Sequence, residues 1–137
     1  AFVLARPAYG DPVEALVRRG RAGRVVAFDP NPRPALAGDP GHAVWRRDFK
    51  GSTGLFSAIL KPASNEAVAA MLDGLELFGM GWSWGGFESL MIPVYPEHVQ
   101  TATQWDAGGP CLRLAIGLEE PEDLIADLTE GFARLAG

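Results

Sequence analysis

The sequence predicts an α/β domain in two layers, on three observations. Leu55-Phe56-Ser57-Ala58-Ile59-Leu60 and Cys111-Leu112-Arg113-Leu114-Ala115-Ile116 are apolar runs of strand length. Val68, Met71, Leu72 and Leu75, and later Leu124, Leu128 and Leu135 with Ile125 and Phe132 alongside, recur at helical spacing. Short links rich in glycine and proline join these segments, so strands and helices alternate within one unit.

In chain order, residues 1–33 carry the weakest pattern, punctuated by Pro7, Pro12, Pro30 and Pro32. Asp11-Pro12 suits a short helix start, Val25-Val26-Ala27-Phe28 a strand, and the arginines at 18, 19, 21 and 24 a solvated face. Gly41–Phe49 reads as a short helix with an aromatic side, followed by a turn over Lys50–Gly54. The Leu55–Leu60 run is nearly continuous, as in a strand covered on both faces. Ser64 is a good N-cap, and Ser64–Glu76 is an amphipathic helix. Glu88–Val94 is strand-like, and Pro93 ends it or places it at a sheet edge. Pro96 opens a short helix carrying Glu97, His98, Val99 and Ala102. Gly108-Gly109-Pro110 breaks the chain before the arginine strand. Pro121, with Glu122 and Asp123 behind it, then starts the last helix.

Composition limits the function classes. A length of 137 residues fits one domain, and 47% hydrophobic with 21% charged residues fits a soluble globular one. A net charge of −5 leaves no electrostatic footprint for nucleic acid. One cysteine cannot build an internal disulfide and suits a reducing, cytoplasmic setting. No apolar run reaches the ~18 residues of a membrane span, and no secretory signal is visible. The chain opens on Ala1-Phe2-Val3 without a methionine, as a fragment would.

Two stretches carry chemistry. The first is Gly79–Pro93, where Trp82 and Trp84 flank Ser83 beside Gly85-Gly86. Either it is a glycine turn with core tryptophans, or it is an aromatic pocket with one hydroxyl. Gly81-Trp82-Ser83-Trp84-Gly85 matches the G-x-S-x-G nucleophile elbow, but that elbow needs a helix after it and a distant acid and histidine, which this order does not offer. The second is Arg113, a cation in an otherwise apolar strand. Period 2 puts Leu112, Leu114 and Ile116 on one face and Cys111, Arg113 and Ala115 on the other. A covered guanidinium needs a partner, and its fork fits a carboxylate: Glu88 or Asp106 within the chain, or that of a ligand. His42, His98 and Cys111 lack zinc spacing, and no phosphate loop of Walker or Rossmann type is present.

Pro40-Gly41-His42…Trp45-Arg46-Arg47-Asp48-Phe49…Gly51-Ser52-Thr53-Gly54-Leu55-Phe56-Ser57, then Ser83-Trp84-Gly85-Gly86-Phe87-Glu88-Ser89-Leu90, then Arg113-Leu114…Ile116-Gly117-Leu118-Glu119…Glu122–Leu128 resemble the C-terminal domain of the Cys/Met-metabolism pyridoxal-phosphate enzymes of fold type I, in their cystathionine β-lyase branch. The resemblance spans 34–137 and leaves 1–33 as a linker or divergent start. It implies a small C-terminal domain with a mainly antiparallel sheet and helices packed on it. It implies that Arg113 holds the substrate α-carboxylate, that Ser83 borders substrate and cofactor, and that Trp84 shapes the pocket. Trp82 stands where the family usually has tyrosine.

The implied reaction is α,β-elimination from cystathionine to homocysteine, pyruvate and ammonia, within transsulfuration and methionine biosynthesis. It uses pyridoxal 5′-phosphate in a cytoplasmic dimer or tetramer; a cysteine desulfhydrase or γ-lyase is the sibling alternative. The family's Schiff-base lysine is not matched in this chain. Lys50 and Lys61 read as surface charges, so the chain by itself is expected to be an inactive folding or association domain.

Overall fold

The strand Leu55–Leu60 (β2) sits inside a four-stranded sheet and pairs on both sides. This computed structural model describes residues 22–26, 40–50, 54–82, 86–99, 101–102, 104–106 and 108–135, the first segment as backbone course only. Strands β1 (Ala22–Val26), β2, β3 (Leu90–Val94) and β4 (Cys111–Ala115) lie in the order β1-β2-β4-β3, with every pair antiparallel. The helices are α1 (His42–Asp48), α2 (Asn65–Asp73) and α3 (Pro121–Arg134). The two apolar runs that define the fold in the sequence are therefore direct neighbours.

Alternation along the strands separates two faces. Phe56, Ala58 and Leu60 of β2, Met91 of β3, and Leu112 and Leu114 of β4 join Val68, Met71 and Leu72 of α2 and Leu124, Leu128 and Phe132 of α3 in one core. Each such large side chain contributes about 1.5–3 kcal/mol by leaving water. The face opposite is sealed too: Ser57, Ile59, Ile92, Cys111 and Ala115 are all buried. A strand covered on both faces is what the unbroken Leu55–Leu60 run predicts.

β3 is an edge strand, as Pro93 implies. The Met91 N–H points away from β4 and donates to the Gly79 carbonyl at 2.9 Å. Two residues on, the proline nitrogen points the same way, to the open edge, where no ladder bond is lost. At the break before β4, Gly108 has φ +74°. A Cβ on Gly109 would stand 2.2 Å from the Leu60 carbonyl oxygen, so only glycine lets this turn lie against β2.

Four elements differ from the sequence expectation, the first being β1, which begins at Ala22 and not at Val25. α2 stops at Asp73 instead of reaching Glu76, with Gly74 as its C-cap. The Glu76 and Leu77 N–H groups turn away to donate to the two carboxylate oxygens of Asp127 on α3, at 3.0 and 2.9 Å. The helix expected after Pro96 is one 3₁₀ turn, Pro96–His98, because the chain leaves helical geometry at Val99. The strand expected from Glu88 starts at Leu90, because the Ser89 side chain and backbone N–H are engaged elsewhere. The N-cap expectation holds, with the Ala67 N–H donating to Ser64 Oγ at 3.2 Å. The short helix expected after Asp11-Pro12, the end of the Val25–Phe28 strand and the arginine cluster's side chains lie outside the described residues.

Asp127→Ala leaves both donors to water and frees the α2–α3 corner. Urea denaturation should show a loss of about 1–2 kcal/mol with an unchanged m-value. Asp127→Asn, which keeps one acceptor oxygen, should lose roughly half of that.

Candidate carboxylate-binding site

Arg113 is the middle residue of β4, set opposite Ser57 on β2 and Ile92 on β3. Its side chain rises from the buried second face of the sheet. Nε is buried and makes no hydrogen bond, while the residue as a whole is partly exposed, so solvent reaches the outer part of the fork. Neither internal partner open to it in the sequence is used: Glu88 and Asp106 are exposed, and neither pairs with it. Among the described residues the guanidinium faces no carboxylate of its own chain. A cation held on a packed strand with no counter-charge among the described residues is a candidate seat for an anionic ligand, and a planar fork suits a carboxylate.

Ser83 and Trp84 lie outside the described residues, but the chain on either side of them is fixed. Gly79 bridges to Leu90, with its N–H donating to the Ser89 carbonyl at 2.9 Å. Beyond the tryptophan turn, Glu119 accepts from the Ser89 N–H at 2.7 Å and from Ser89 Oγ at 2.8 Å. Ser89 Oγ in turn accepts from the Gly117 N–H at 2.9 Å, and the Leu118 N–H donates to the Phe87 carbonyl at 2.8 Å. Gly117 has no room for a side chain, since a Cβ would meet the Phe87 carbonyl oxygen at 2.3 Å. These bonds zip the approach to β3 onto the exit of β4, with Ser89 three residues from Ile92 and Gly117 four from Arg113. The motif Phe87-Glu88-Ser89 and the motif Gly117-Leu118-Glu119 are thus two halves of one clamp. Trp82 is 75% exposed, so it is not the core tryptophan that a plain glycine turn would carry.

Other candidates resolve simply. No helix follows the Gly81–Gly85 stretch before β3, so the nucleophile elbow is not built. His42 stacks on Trp45 and His98 on Tyr95, each with ring centres 5.6 Å apart. No cluster of metal ligands exists among the described residues, nor any helix long and apolar enough to cross a membrane. Lys50 and Lys61 are exposed in turns. The described residues thus hold a guanidinium whose shape suits a carboxylate, and both of their lysines are exposed. An open groove of about 490 Å³, lined by Pro62, Val68, Tyr95, Trp105, Gly109 and Cys111, lies at the far end of the sheet and does not include Arg113.

The residues not singled out individually in the sequence are Ser57, Ser89, Glu119 and Asp127. Ser57 carries the one available signal, a polar break in an apolar strand of the same kind as Arg113.

Two outcomes follow from this geometry. Glu119→Gln places an amide N–H against one of two Ser89 donors. It should cost about 1–3 kcal/mol in denaturation and raise hydrogen exchange at the Ser89 and Gly117 amides. Burial first, and the Glu97 charge second, push the Cys111 thiol from its ordinary 9.0 up to about 11. The unfolded chain then releases the thiol proton at lower pH than the folded one. The resulting stability is complete below 9.0 and is lost as pH climbs through about 11. Denaturation midpoints of wild type minus those of Cys111→Ala, measured across that window, should fall with pH.

The profile of the Cys/Met metabolism PLP-dependent enzymes matches residues 32–133. A cystathionine beta-lyase of Escherichia coli K12 is 51% identical over 106 residues, covering 74% of this chain and 27% of that protein. An L-alanine/L-glutamate racemase of Wolbachia pipientis wMel is 42% identical over 104 residues, covering 74% of this chain and 26% of that protein. The structure of a cystathionine gamma synthase from Xanthomonas oryzae pv. oryzae in complex with cystathionine superposes with a TM-score of 0.70 and 31% identity, over 96% of this chain and 35% of that one. The chain spans about a quarter of the length of the curated relatives it matches.

Proposed function

This chain belongs to the Cys/Met metabolism PLP-dependent enzymes, and from that premise we propose that it is the substrate-carboxylate-holding C-terminal part of a carbon–sulfur lyase of the cystathionine β-lyase type. The observation that carries the reading is Arg113, a guanidinium on a packed strand with a buried, unbonded Nε and, among the described residues, no carboxylate paired with it. Two parallel bonds from its fork to an α-carboxylate fix the plane of that group and remove one rotation of the amino acid, which favours reaction at the carbons beyond it. Trp84 and Ser83, between fixed flanks, border the same pocket in this reading. Pyridoxal phosphate, when bound, supplies the electron sink for a carbanion, and its lysine comes from outside residues 1–137.

The relatives' names cover different reactions on amino acids, and an α-carboxylate is common to all those substrates. β-elimination is the finer proposal, favoured by the 51% identity to the E. coli lyase. Transsulfuration, methionine biosynthesis, a cytoplasmic location and a homo-oligomer belong to the same proposal.

The test grafts residues 40–135 in place of the matching stretch of the E. coli lyase and follows pyruvate release from cystathionine. Activity is expected in the graft and not in the isolated chain. In the graft, Arg113→Lys keeps the charge but loses the two-pronged fit, and kcat/KM should fall about 30-fold to several thousand-fold. Near-normal kcat/KM in both Arg113→Lys and Arg113→Ala would make Arg113 a structural residue and overturn the reading.

A further inference from the structure

Ser57 is wholly buried in the middle of β2, and its hydroxyl has no hydrogen-bond partner among the described residues. A buried polar atom left unpaired costs about 1–3 kcal/mol, so such atoms are rare and call for a reason. Three buried side-chain atoms are unpaired among the described residues, and two of them belong to one cross-strand pair: Ser57 Oγ and Arg113 Nε. Residues paired across antiparallel strands share a face, with Cβ atoms about 4.5–5.5 Å apart. One atom is a donor and the other can accept. Both are closed to solvent, so a ligand arriving at the outer fork reaches neither of them. Among the described residues, each is an unpaired atom on a residue set directly across the strand pair from the other. They stand unbonded in this structure, and rotation about the serine Cα–Cβ bond, among three staggered positions, is the freedom that would close the gap.

We propose that Ser57 is a positioning residue for Arg113: its Oγ accepts the Nε–H bond and sets the plane of the guanidinium. Both terminal nitrogens then stay free for a ligand carboxylate. This rests on the reading of Arg113 as the carboxylate holder and adds the residue that orients it. An arginine fork gains over a lysine only while its plane is fixed, and a side chain with four rotatable bonds has no fixed plane without an anchor near Nε.

The test uses the 137-residue chain labelled with nitrogen-15, with the Arg113 Nε–H resonance assigned by its loss in Arg113→Lys and sodium pyruvate as the carboxylate probe. Ser57→Ala is expected to shift the Arg113 Nε–H resonance, leave the other arginine side-chain resonances in place, and weaken pyruvate binding on the order of ten-fold, the range of one bond to a charged group. Ser57→Thr, which keeps a hydroxyl on Cβ, should retain wild-type values. Should Ser57→Ala lose the native spectrum, Ser57→Cys, close in size and a poor acceptor, carries the same expectation. A folded Ser57→Ala or Ser57→Cys chain with an unmoved Nε–H resonance, or with wild-type pyruvate affinity, overturns the proposal and leaves Arg113 as the carboxylate holder. Pyruvate that does not move the Arg113 resonance in the wild-type chain overturns the underlying reading, and the proposal with it.

Discussion

The antiparallel pairing of β2 with β4 is the constraint from which the rest of the structure follows. Its register sets Phe56 against Leu114 and Ala58 against Leu112 on one face, and Ser57 against Arg113 on the other. The period of a strand is 2, so a slip of one residue would drive the arginine into the apolar core and turn the leucines outward. Packing of α2 and α3 against Leu112 and Leu114 therefore also fixes which way the guanidinium points. Core and candidate site are two faces of a single register.

That register is defended at both ends of the strands. At one end the Gly54 carbonyl accepts from the Ile116 N–H at 2.8 Å, beside the Ser89–Glu119–Gly117 clamp. At the other the Leu60 N–H donates to the Pro110 carbonyl at 2.8 Å, and Gly109 presses against the Leu60 carbonyl. The clamp uses a carboxylate as a pure acceptor, and it satisfies a buried hydroxyl that would otherwise be costly. Ser57 and Ser89 are both fully buried serines, yet among the described residues only Ser89 has hydrogen-bond partners. The contrast separates a hydroxyl that secures a loop from one left available to an arginine.

The relatives also separate what is general from what is particular. Names as different as a lyase, a racemase and a synthase attach to chains similar to this one over about three-quarters or more of its length. In the reading proposed above, a cation presented from a packed strand suits the carboxylate common to such substrates, and the fold alone does not choose the reaction.

The sequence by itself determined the elements whose signal is local: the β2 and β4 runs, the Ser64 cap and the proline start of α3, while for Pro93 it left open whether β3 ends there or lies at an edge. It also singled out Arg113, because a charge inside an apolar strand contradicts its own surroundings. What only the tertiary structure decided was every relation between distant residues. Asp127 ends the α2 corner from 50 and 51 residues away, and Glu119 holds Ser89 from 30 residues away. The absence of an ion pair from Arg113 to Glu88 or Asp106 was of the same kind. Periodicity reports which face a side chain takes, but not what stands across from it. Pairing register supplies that second fact, and it placed Ser57 opposite Arg113 while leaving Glu88 and Asp106 exposed and apart from it.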